Sequence, residues 1–340
     1  MDIDCHQIDK FLKNMFPDLT GDVHIQKTAG GQSNPTYILS CSDRVYVLRR
    51  RPDGVLLPSA HSVSREFRVQ KALVHTGVKV PKMILHSEDE SIVGTEFYLM
   101  SYIPGRVFHD NSLKEVDAPQ RKKMYFEMAR MLAKIHAVDI HKVGLDTFGK
   151  HGNYFARQIH RWSKQWHLSK PSDNKHIDHL ARWLADNIPE DDQTTLVHGD
   201  YRIGNLVFNT KHPSVEGVLD WELSTLGHPL ADLANCCTYA WFLNSDEYGH
   251  GIRDSNLKEQ GLPSIEEFID IYHQESDLTE KLTNFHLSFA LFRMSIIFTG
   301  VADRARRGNA ASGNAHELGR IVPKIAQRGF ELTKQKMADL

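Results

Sequence analysis

The stretch that decides the fold is His198-Gly199-Asp200-Tyr201-Arg202-Ile203-Gly204-Asn205, followed fifteen residues later by Asp220-Trp221-Glu222. Short apolar runs flank both groups, at 194–197, 206–208 and 215–219. Runs of this length bounded by polar residues are typical of short strands. The acidic side chains therefore stand at strand ends, where they are well placed to face a ligand.

The order and spacing of these polar residues suit the transfer of a phosphoryl group from ATP to a hydroxyl. That reaction needs a carboxylate beside the hydroxyl and further oxygen ligands that hold magnesium on the triphosphate. In kinase catalytic loops a base precedes a metal-binding Asn, and a later Asp completes the metal site. Asp200 and Asn205 keep the offset of such loops. One of these residues alone is more often a turn former or a helix cap, so the prediction rests on their coincidence.

A further group, Gly227-His228-Pro229-Leu230-Ala231-Asp232-Leu233-Ala234, extends the pattern. The whole stretch 196–234 resembles the family of aminoglycoside phosphotransferases and choline kinase, which shares the protein-kinase-like fold. More narrowly, it is similar to a branch whose members occur alone or fused to acyl-CoA dehydrogenases. Some of these phosphorylate hydroxyacyl groups carried on coenzyme A. The resemblance runs from about residue 25 to 320 and is specific for the family but weak for the substrate.

This resemblance implies an α+β, protein-kinase-like fold with two lobes. We expect residues 1–103 to form a small N-terminal lobe with an antiparallel sheet that binds the nucleotide. Residues 104–340 should form a mainly helical C-terminal lobe that carries catalysis and substrate binding. ATP and Mg2+ are the expected cofactors, with ATP between the lobes, Asp200 as the base, and Asn205 and Asp220 as catalytic residues and magnesium ligands.

Composition agrees with a large intracellular enzyme. The 340 residues are 41% hydrophobic and 25% charged, with a net charge of −2. This balance argues against a general nucleic-acid or membrane-surface partner. No apolar run approaches the roughly 20 residues of a membrane span, and the first residues do not begin a secretory signal. Four cysteines make no disulfide framework, and the twenty histidines form no zinc motif, so we expect a reduced cytoplasmic location and no transition-metal site.

Candidate nucleotide-binding residues lie in the N-terminal part. Small residues of the loop 28–35 let backbone amides approach phosphate oxygens, although such a loop alone is more often a hairpin turn. The resemblance assigns Ser33 and Asn34 to the loop that covers the phosphates. Arg49 stands where protein kinases place a phosphate-binding Lys, and Glu66, on a helix predicted at 59–76, is expected to orient it. Which arginine of Arg49-Arg50-Arg51 contacts the phosphates is left open.

A strand predicted at 96–102 should end the small lobe, and Pro104-Gly105 suits a hinge. The resemblance implies that the backbone from Ser101 to Ile103 meets the adenine and that Met100 lines the pocket. Gly199 replaces the Arg of regulated protein kinases, and eleven residues separate Asp220 from Asp232. This spacing leaves no room for a long activation segment, so we expect a small-molecule acceptor.

The acceptor is the least determined part of the prediction. Arg202 lies beside the base and could contact a phosphate or an acidic acceptor. Arg304 and Arg307 follow an apolar helix and could bind an anionic acceptor, such as a hydroxyacyl-CoA, or could only stabilise a solvated helix end. An aminoglycoside or choline-like amino-alcohol kinase and a non-catalytic nucleotide-binding scaffold remain alternatives.

Overall fold

The computed structural model of the protein describes residues 3–28, 34–42, 44–53, 62–169, 173–306 and 315–335. The chain divides into two compact units. The first consists of Met1–Gly105 together with Glu216–Glu222, and the second of Arg106–Val215 and Leu223–Leu340. The short segment Glu216–Glu222 therefore belongs with the N-terminal part although it lies far along the chain.

The first unit is built on a five-stranded sheet in the order β1-β2-β3-β5-β4 with antiparallel neighbours. Its strands are β1 His24–Lys27, β2 Thr36–Cys41, β3 Arg44–Arg50, β4 Met83–Ser87 and β5 Phe97–Ser101. The central pair is β3 and β5, in which Val47 lies opposite Met100 and Arg49 opposite Tyr98. The predicted antiparallel N-terminal sheet is confirmed.

Both faces of this sheet are covered because side chains alternate along each strand. Leu48 and Leu99 belong to a core cluster with helix α1, Cys5–Met15, which packs Ile8 and Leu12 there. Val47 and Met100 face the other way, into a smaller cluster beside helix α2, Val63–Leu73. Asp4 and Ser62 cap the two helices by accepting backbone N–H groups of their first turns. A short helix, α3 Glu90–Val93, precedes β5.

The second unit is mainly helical. Its helices are α4 Ala118–His136, α5 Tyr154–Ser169, α6 Lys175–Asp186, α7 Pro229–Trp241, α8 Leu257–Gln260, α9 Ile265–Gln274, α10 Asn284–Arg306 and α11 Ala315–Leu332. Strand β6 Thr195–Val197 pairs antiparallel with β9 Thr225–Gly227, and β7 Leu206–Phe208 is a further short strand of this unit. Strand β8, Val215–Val218, lies mostly in the segment Glu216–Glu222 that belongs to the first unit. The three strands expected around the catalytic sequence are thus present, and β9 is an addition.

Helix α10 corrects one expectation from the sequence. Within the described ranges it is the single helix long and apolar enough to cross a membrane, with a mean hydropathy of 1.5 over eighteen residues. However, 78% of that window is buried inside the protein. An apolar helix that is buried nearly all round is typical of the core of a large domain. The expectation that no segment is long and apolar enough to span a membrane was therefore wrong, but this helix lies in the core of the protein.

Candidate active site

The loop 198–205 leaves strand β6 and is held from below by a carboxylate. Asp232, in the first turn of α7, accepts the backbone N–H of His198 at 2.5 Å and that of Gly199 at 2.8 Å. Gly199 has φ +85°, and a Cβ at this position would lie 2.5 Å from the carbonyl oxygen of Leu223. Glycine adopts this left-handed backbone without strain, so the loop depends on Gly199 as well as on Asp232.

Asp232 is itself oriented from two other helices. Nε2 of His136, on α4, lies 3.5 Å from Asp232 Oδ2, and Nδ1 of His136 lies 2.7 Å from the hydroxyl of Tyr272, on α9. Burial by itself would raise the pKa of Asp232. The hydrogen bond with His136 and the backbone donors outweigh burial and hold that pKa below its usual value. The carboxylate therefore stays ionised beneath the loop.

Asp200 presents one carboxylate oxygen to a ligand. Its Oδ2 accepts Nδ2 of Asn205 at 3.0 Å and Nε of Arg202 at 3.2 Å. Its Oδ1 has no hydrogen-bond partner among the described residues. Two donors on one oxygen fix the plane of the carboxylate, and the other oxygen is left to accept a proton. This arrangement would suit the general base expected from the sequence.

The amide nitrogen of Asn205 makes hydrogen bonds to Asp200, and this orientation of the side chain leaves the amide oxygen for a ligand. Its Nδ2 donates to the carbonyl oxygen of Asp200 at 2.8 Å as well as to the carboxylate. The orientation leaves Asn205 Oδ1, without a hydrogen bond to any described residue, as a ligand atom. Amide and carboxylate oxygens are the donors that magnesium prefers. The donor set of Asn205 and Asp220 therefore fits this ion.

Asp220 adopts a left-handed backbone with φ +66°, which is uncommon outside glycine and frequent at functional sites. Its Oδ1 accepts Nη2 of Arg49 at 2.6 Å. The same nitrogen lies 3.5 Å from Oε2 of Glu222. Within the first unit, the predicted metal ligand and the predicted phosphate-binding arginine are thus in direct contact.

Arg49 is 7% exposed and is anchored by Glu66. The Nε of Arg49 lies 2.9 Å from Oε2 of Glu66, as an ion pair between β3 and α2. Glu66 also accepts the hydroxyl of Tyr98 at 3.0 Å. Burial opposes the charge of Arg49, but Glu66 and Asp220 overcome it and raise the pKa of the guanidinium. The pairing of Arg49 and Glu66 expected from the sequence is present, and its role toward phosphates stays a prediction.

The alternation of side chains along β3 distinguishes the three arginines. Arg50 points to the opposite face, where it binds both oxygens of Asp53 at 2.9 and 3.0 Å. Arg51 lies beyond the strand, 3.5 Å from Glu90. Arg49 alone of the three contacts Glu66 and Asp220. Which of the three contacts the phosphates stays a prediction.

The two residues assigned to the phosphate-covering loop differ in outcome. Ser33 lies outside the described residues. Asn34 is fully buried, and its Nδ2 donates to Oε1 of Glu66 at 2.5 Å. Its side chain therefore helps to hold Glu66. The expected place of Asn34 over the phosphates stays a prediction.

The expected adenine-contacting residues lie at the end of β5. Met100 is buried beside Val47 and Tyr98. The backbone N–H of Ser101 donates to the carbonyl oxygen of Lys82 at 2.9 Å, so it is engaged in the sheet. Ile103 follows the strand, and the described residues offer no hydrogen-bond partner to its backbone. Of the candidate residues, Ile103 therefore has free backbone groups for a base edge.

The expected acceptor-binding arginines are spread over the second unit. Arg202 adjoins the base, as described above. Arg304 is exposed in the last turn of α10, and the described residues give it no ion-pair partner. Arg307 lies outside the described residues. The structure thus brings Arg202 to Asp200, and it leaves Arg304 as an exposed cation on α10.

Sequence reasoning missed several residues of the site. Tyr239 lies two turns after Asp232 on α7, and its ring centroid is 5.5 Å from the guanidinium carbon of Arg202. Arg293, on α10, donates to the carbonyl oxygen of Gly199 at 2.6 Å. His136 was not considered because a histidine on an apolar helix carries no local signal. The helical spacing of Tyr239 from Asp232 was a signal that could have been used.

Comparisons with known proteins agree with this geometry. The chain is 39% identical to acyl-CoA dehydrogenase family member 10 of Mus musculus over 331 residues, covering 97% of this chain and 31% of that protein. It thus spans about a third of this curated relative. A crystal structure from Ralstonia eutropha JMP134, of a protein assigned as an aminoglycoside phosphotransferase, superposes with a TM-score of 0.87 at 36% identity. The match covers 99% of this chain and 100% of that one.

A more distant structure shows the same fold. It is a thermostable mutant of aminoglycoside phosphotransferase APH(4)-Ia in complex with AMP-PNP and hygromycin B. The TM-score is 0.64 at 14% identity, over 96% of this chain and 98% of that one. These similarities confirm the predicted α+β, kinase-like fold. Since the model of the phosphotransferase enzyme family matches residues 24–268, this chain belongs to that family.

Proposed function

We propose that the protein transfers the γ-phosphoryl group of ATP, with Mg2+, to a hydroxyl of a small anionic metabolite, and that this metabolite is a hydroxyacyl group carried on coenzyme A. The observation that carries the proposal is the carboxylate of Asp200. Asn205 and Arg202 hold its Oδ2, and its Oδ1 is open. An acceptor hydroxyl that donates to Oδ1 would be oriented for attack and could pass its proton to the base.

Asn205 and Asp220 would hold the magnesium ion through Oδ1 and a carboxylate oxygen. The ion supplies charge neutralisation on the triphosphate. In the unit that contains Asp220, Arg49 offers a fixed positive charge that Glu66 keeps in place. Phosphoryl transfer depends mainly on positioning and charge stabilisation, so a preorganised guanidinium suits this role.

ATP is supported as the donor by a relative of the same fold. The APH(4)-Ia structure contains AMP-PNP, an ATP analogue in which the bridging oxygen of the γ-phosphate is replaced. In this chain, the free backbone groups of Ile103 and the buried side chain of Met100 would receive the base. Ligand pockets commonly combine apolar side chains with a few backbone N–H and C=O groups that fix the orientation of the ligand.

An anionic acceptor is supported by the positive charge near α10. Arg202 lies beside the base, and Arg304 is exposed in the last turn of α10. A helix C-terminus attracts cations by itself, so Arg304 alone does not decide the matter. The acyl-CoA dehydrogenase name of the mouse relative favours a metabolite carried on coenzyme A. A polycationic antibiotic would instead meet Arg202 with like charge.

Asp200→Asn tests the reaction. ADP release should be measured with wild type and variant across hydroxyacyl-CoA species, choline, amino alcohols and an aminoglycoside. The variant should lose at least about 100-fold in kcat, because it keeps the size of the side chain and lacks the base. It should retain its thermal shift with magnesium and ATP. Asp89→Asn, at an exposed helix cap, is the matched control and should keep full activity.

Each outcome bears on the proposal. Loss of turnover in Asp200→Asn with nucleotide binding retained supports it. Absence of ADP release from wild type with every acceptor would leave a nucleotide-binding scaffold. Turnover with cationic acceptors alone would replace the hydroxyacyl group by an amino alcohol. Arg304→Gln should raise the Michaelis constant for the acceptor and leave that for ATP unchanged.

A further inference from the structure

The guanidinium of Arg202 is fixed at one end and open at the other. Its Nε donates to Asp200 Oδ2 at 3.2 Å, and its carbon lies 5.5 Å from the ring centroid of Tyr239. The side chain is 26% exposed, and its terminal nitrogens have no hydrogen-bond partner among the described residues. A guanidinium is rigid and planar, so the hydrogen bond at Nε also fixes the direction in which the two terminal nitrogens point.

Glycine at position 204 makes room for this arginine. A Cβ on Gly204 would lie 2.7 Å from Nη1 of Arg202 and 3.2 Å from Nδ1 of His109. The guanidinium of Arg202 thus lies across the backbone of the loop 198–205, next to the imidazole of His109. Burial and then the charge of Arg202 lower the pKa of His109, so this neighbour is neutral at physiological pH. His109 therefore adds no second positive charge.

Tyr239 contributes a hydroxyl to the same place. Its side chain is half-buried, and its hydroxyl makes no hydrogen bond with any described residue. Burial and the nearby carboxylate of Asp200 raise the pKa of Tyr239, while Arg202 opposes this shift. The phenol therefore keeps its proton at neutral pH. A ligand oxygen could therefore accept a hydrogen bond from this phenol.

The neighbouring arginine does not compete for this role. Arg293 donates to the carbonyl oxygen of Gly199 at 2.6 Å and to Oδ1 of Asn235 at 3.5 Å. Its guanidinium carbon also lies 5.9 Å from the ring of Trp162. Its nitrogens are therefore used to hold the loop. Of the two cations beside the base, Arg202 is the one with donors left for a ligand.

We propose that Arg202 and Tyr239 recognise a second oxygen of the acceptor, a carbonyl or carboxylate oxygen close to the hydroxyl that is phosphorylated. This inference rests on the proposed kinase function. The hydroxyl binds Oδ1 of Asp200, and the second oxygen accepts hydrogen bonds from the free nitrogens of Arg202 and from the phenol. Because Arg202 is hydrogen-bonded to Asp200, binding of the second oxygen to the terminal nitrogens of Arg202 aligns the acceptor hydroxyl with the carboxylate of Asp200.

Such a site selects strongly against acceptors that lack the second oxygen. Buried donors left without a partner cost more than a missing apolar contact, so discrimination by hydrogen bonding exceeds discrimination by size. The positive charge of Arg202 also disfavours a cationic group at the same position. The site therefore determines both the position of the hydroxyl and the charge of its surroundings.

The test uses three acceptors of equal chain length with the full protein. They are a hydroxyacyl-CoA thioester, the corresponding hydroxy acid, and the simple alcohol in which a CH3 group replaces the carbonyl carbon, so that the second oxygen is absent. The thioester and the acid distinguish a carbonyl from a carboxylate oxygen. The better of the two should exceed the simple alcohol in kcat/KM by about 100-fold or more. Tyr239→Phe should lower kcat/KM for that substrate by about 10-fold and reduce its preference over the simple alcohol by a similar factor.

Arg202→Gln should reduce the preference over the simple alcohol further, so that kcat/KM for the two acceptors differs by no more than about threefold, while the Michaelis constant for ATP stays within about twofold of the wild-type value. Arg182→Gln, on the exposed side of α6, is the matched control. Equal rates with all three acceptors in wild type would overturn the inference and leave the kinase proposal intact. An unchanged preference in Tyr239→Phe and Arg202→Gln would overturn it as well. No ADP release with any acceptor would instead refute the kinase proposal, and the inference with it.

Discussion

Replacing Asp232 by Asn should destabilise the protein strongly although the change is one of similar size. Asp232 uses its two oxygens on two backbone donors, His198 and Gly199. Asparagine has one oxygen, so one buried N–H would face an amide donor. The loss of one hydrogen bond to a charged group costs about 1.5–3 kcal/mol, and the other bond weakens to a neutral one. We expect a total of about 2–4 kcal/mol.

The magnitude can be measured by thermal unfolding at neutral pH. For a domain of this size, each kcal/mol lowers the melting temperature by about 2–4 °C, so Asp232→Asn should melt about 4–16 °C below wild type. The exposed control Asp89→Asn should melt with wild type, since asparagine caps a helix as well as aspartate. A shift of less than about 2 °C in Asp232→Asn would refute the hydrogen-bond argument.

The same substitution has a pH dependence with a defined sign. The pKa of Asp232 is lower in the folded protein than its ordinary value of 3.8. Its stabilising contribution is therefore complete above that value and is lost as the pH falls through the folded pKa. The difference in melting temperature between wild type and Asp232→Asn should be constant from about pH 6 to 8 and should narrow below about pH 4. A difference that widens in acid would contradict the assignment.

Two further predictions concern backbone strain and metal binding. Gly199→Ala should lower the melting temperature more than Gly77→Ala, because both positions have positive φ but only the first would bring a Cβ within 2.5 Å of Leu223 O. Equal decreases of the melting temperature in the two variants would show that the contact between the added Cβ and Leu223 is relieved without cost. Asp220→Ala should abolish the magnesium-dependent thermal shift by ATP, since the ion loses an oxygen ligand. A shift equal to that of wild type would remove Asp220 from the metal site.

The long elements and the order of the motifs could be predicted from the sequence. The predicted strand at 206–208 matches β7. The sequence also predicts helices at 265–274 and, from apolar residues at helical spacing, at 113–140. The first matches α9, whereas α4 begins only at Ala118. The reason is local, because Leu113 has φ +50°, which no right-handed helix contains. Apolar periodicity gives no information about such a backbone angle.

Short elements held by distant partners were missed. Strand β4 is half-buried along its whole length and pairs irregularly with β5, so its sequence shows no alternation. Strand β9 has three residues and depends on β6. In the site, the sequence indicated Asp200 and Asn205 by their spacing. It could not indicate His136, because the role of this residue comes from contacts between helices.

The ion pair in β3 has a consequence for how the sheet finds its register during folding. Tyr46 and Leu48 join one apolar cluster and Val47 the other, so a slip by one residue would exchange two apolar faces at little hydrophobic cost. The slip that puts Leu48 where Arg49 stands would also leave the buried carboxylate of Glu66 without a cation. An uncompensated buried charge costs several kcal/mol. The pair therefore acts against this misregistered sheet, and this contribution to folding fidelity would persist in a protein that bound no nucleotide.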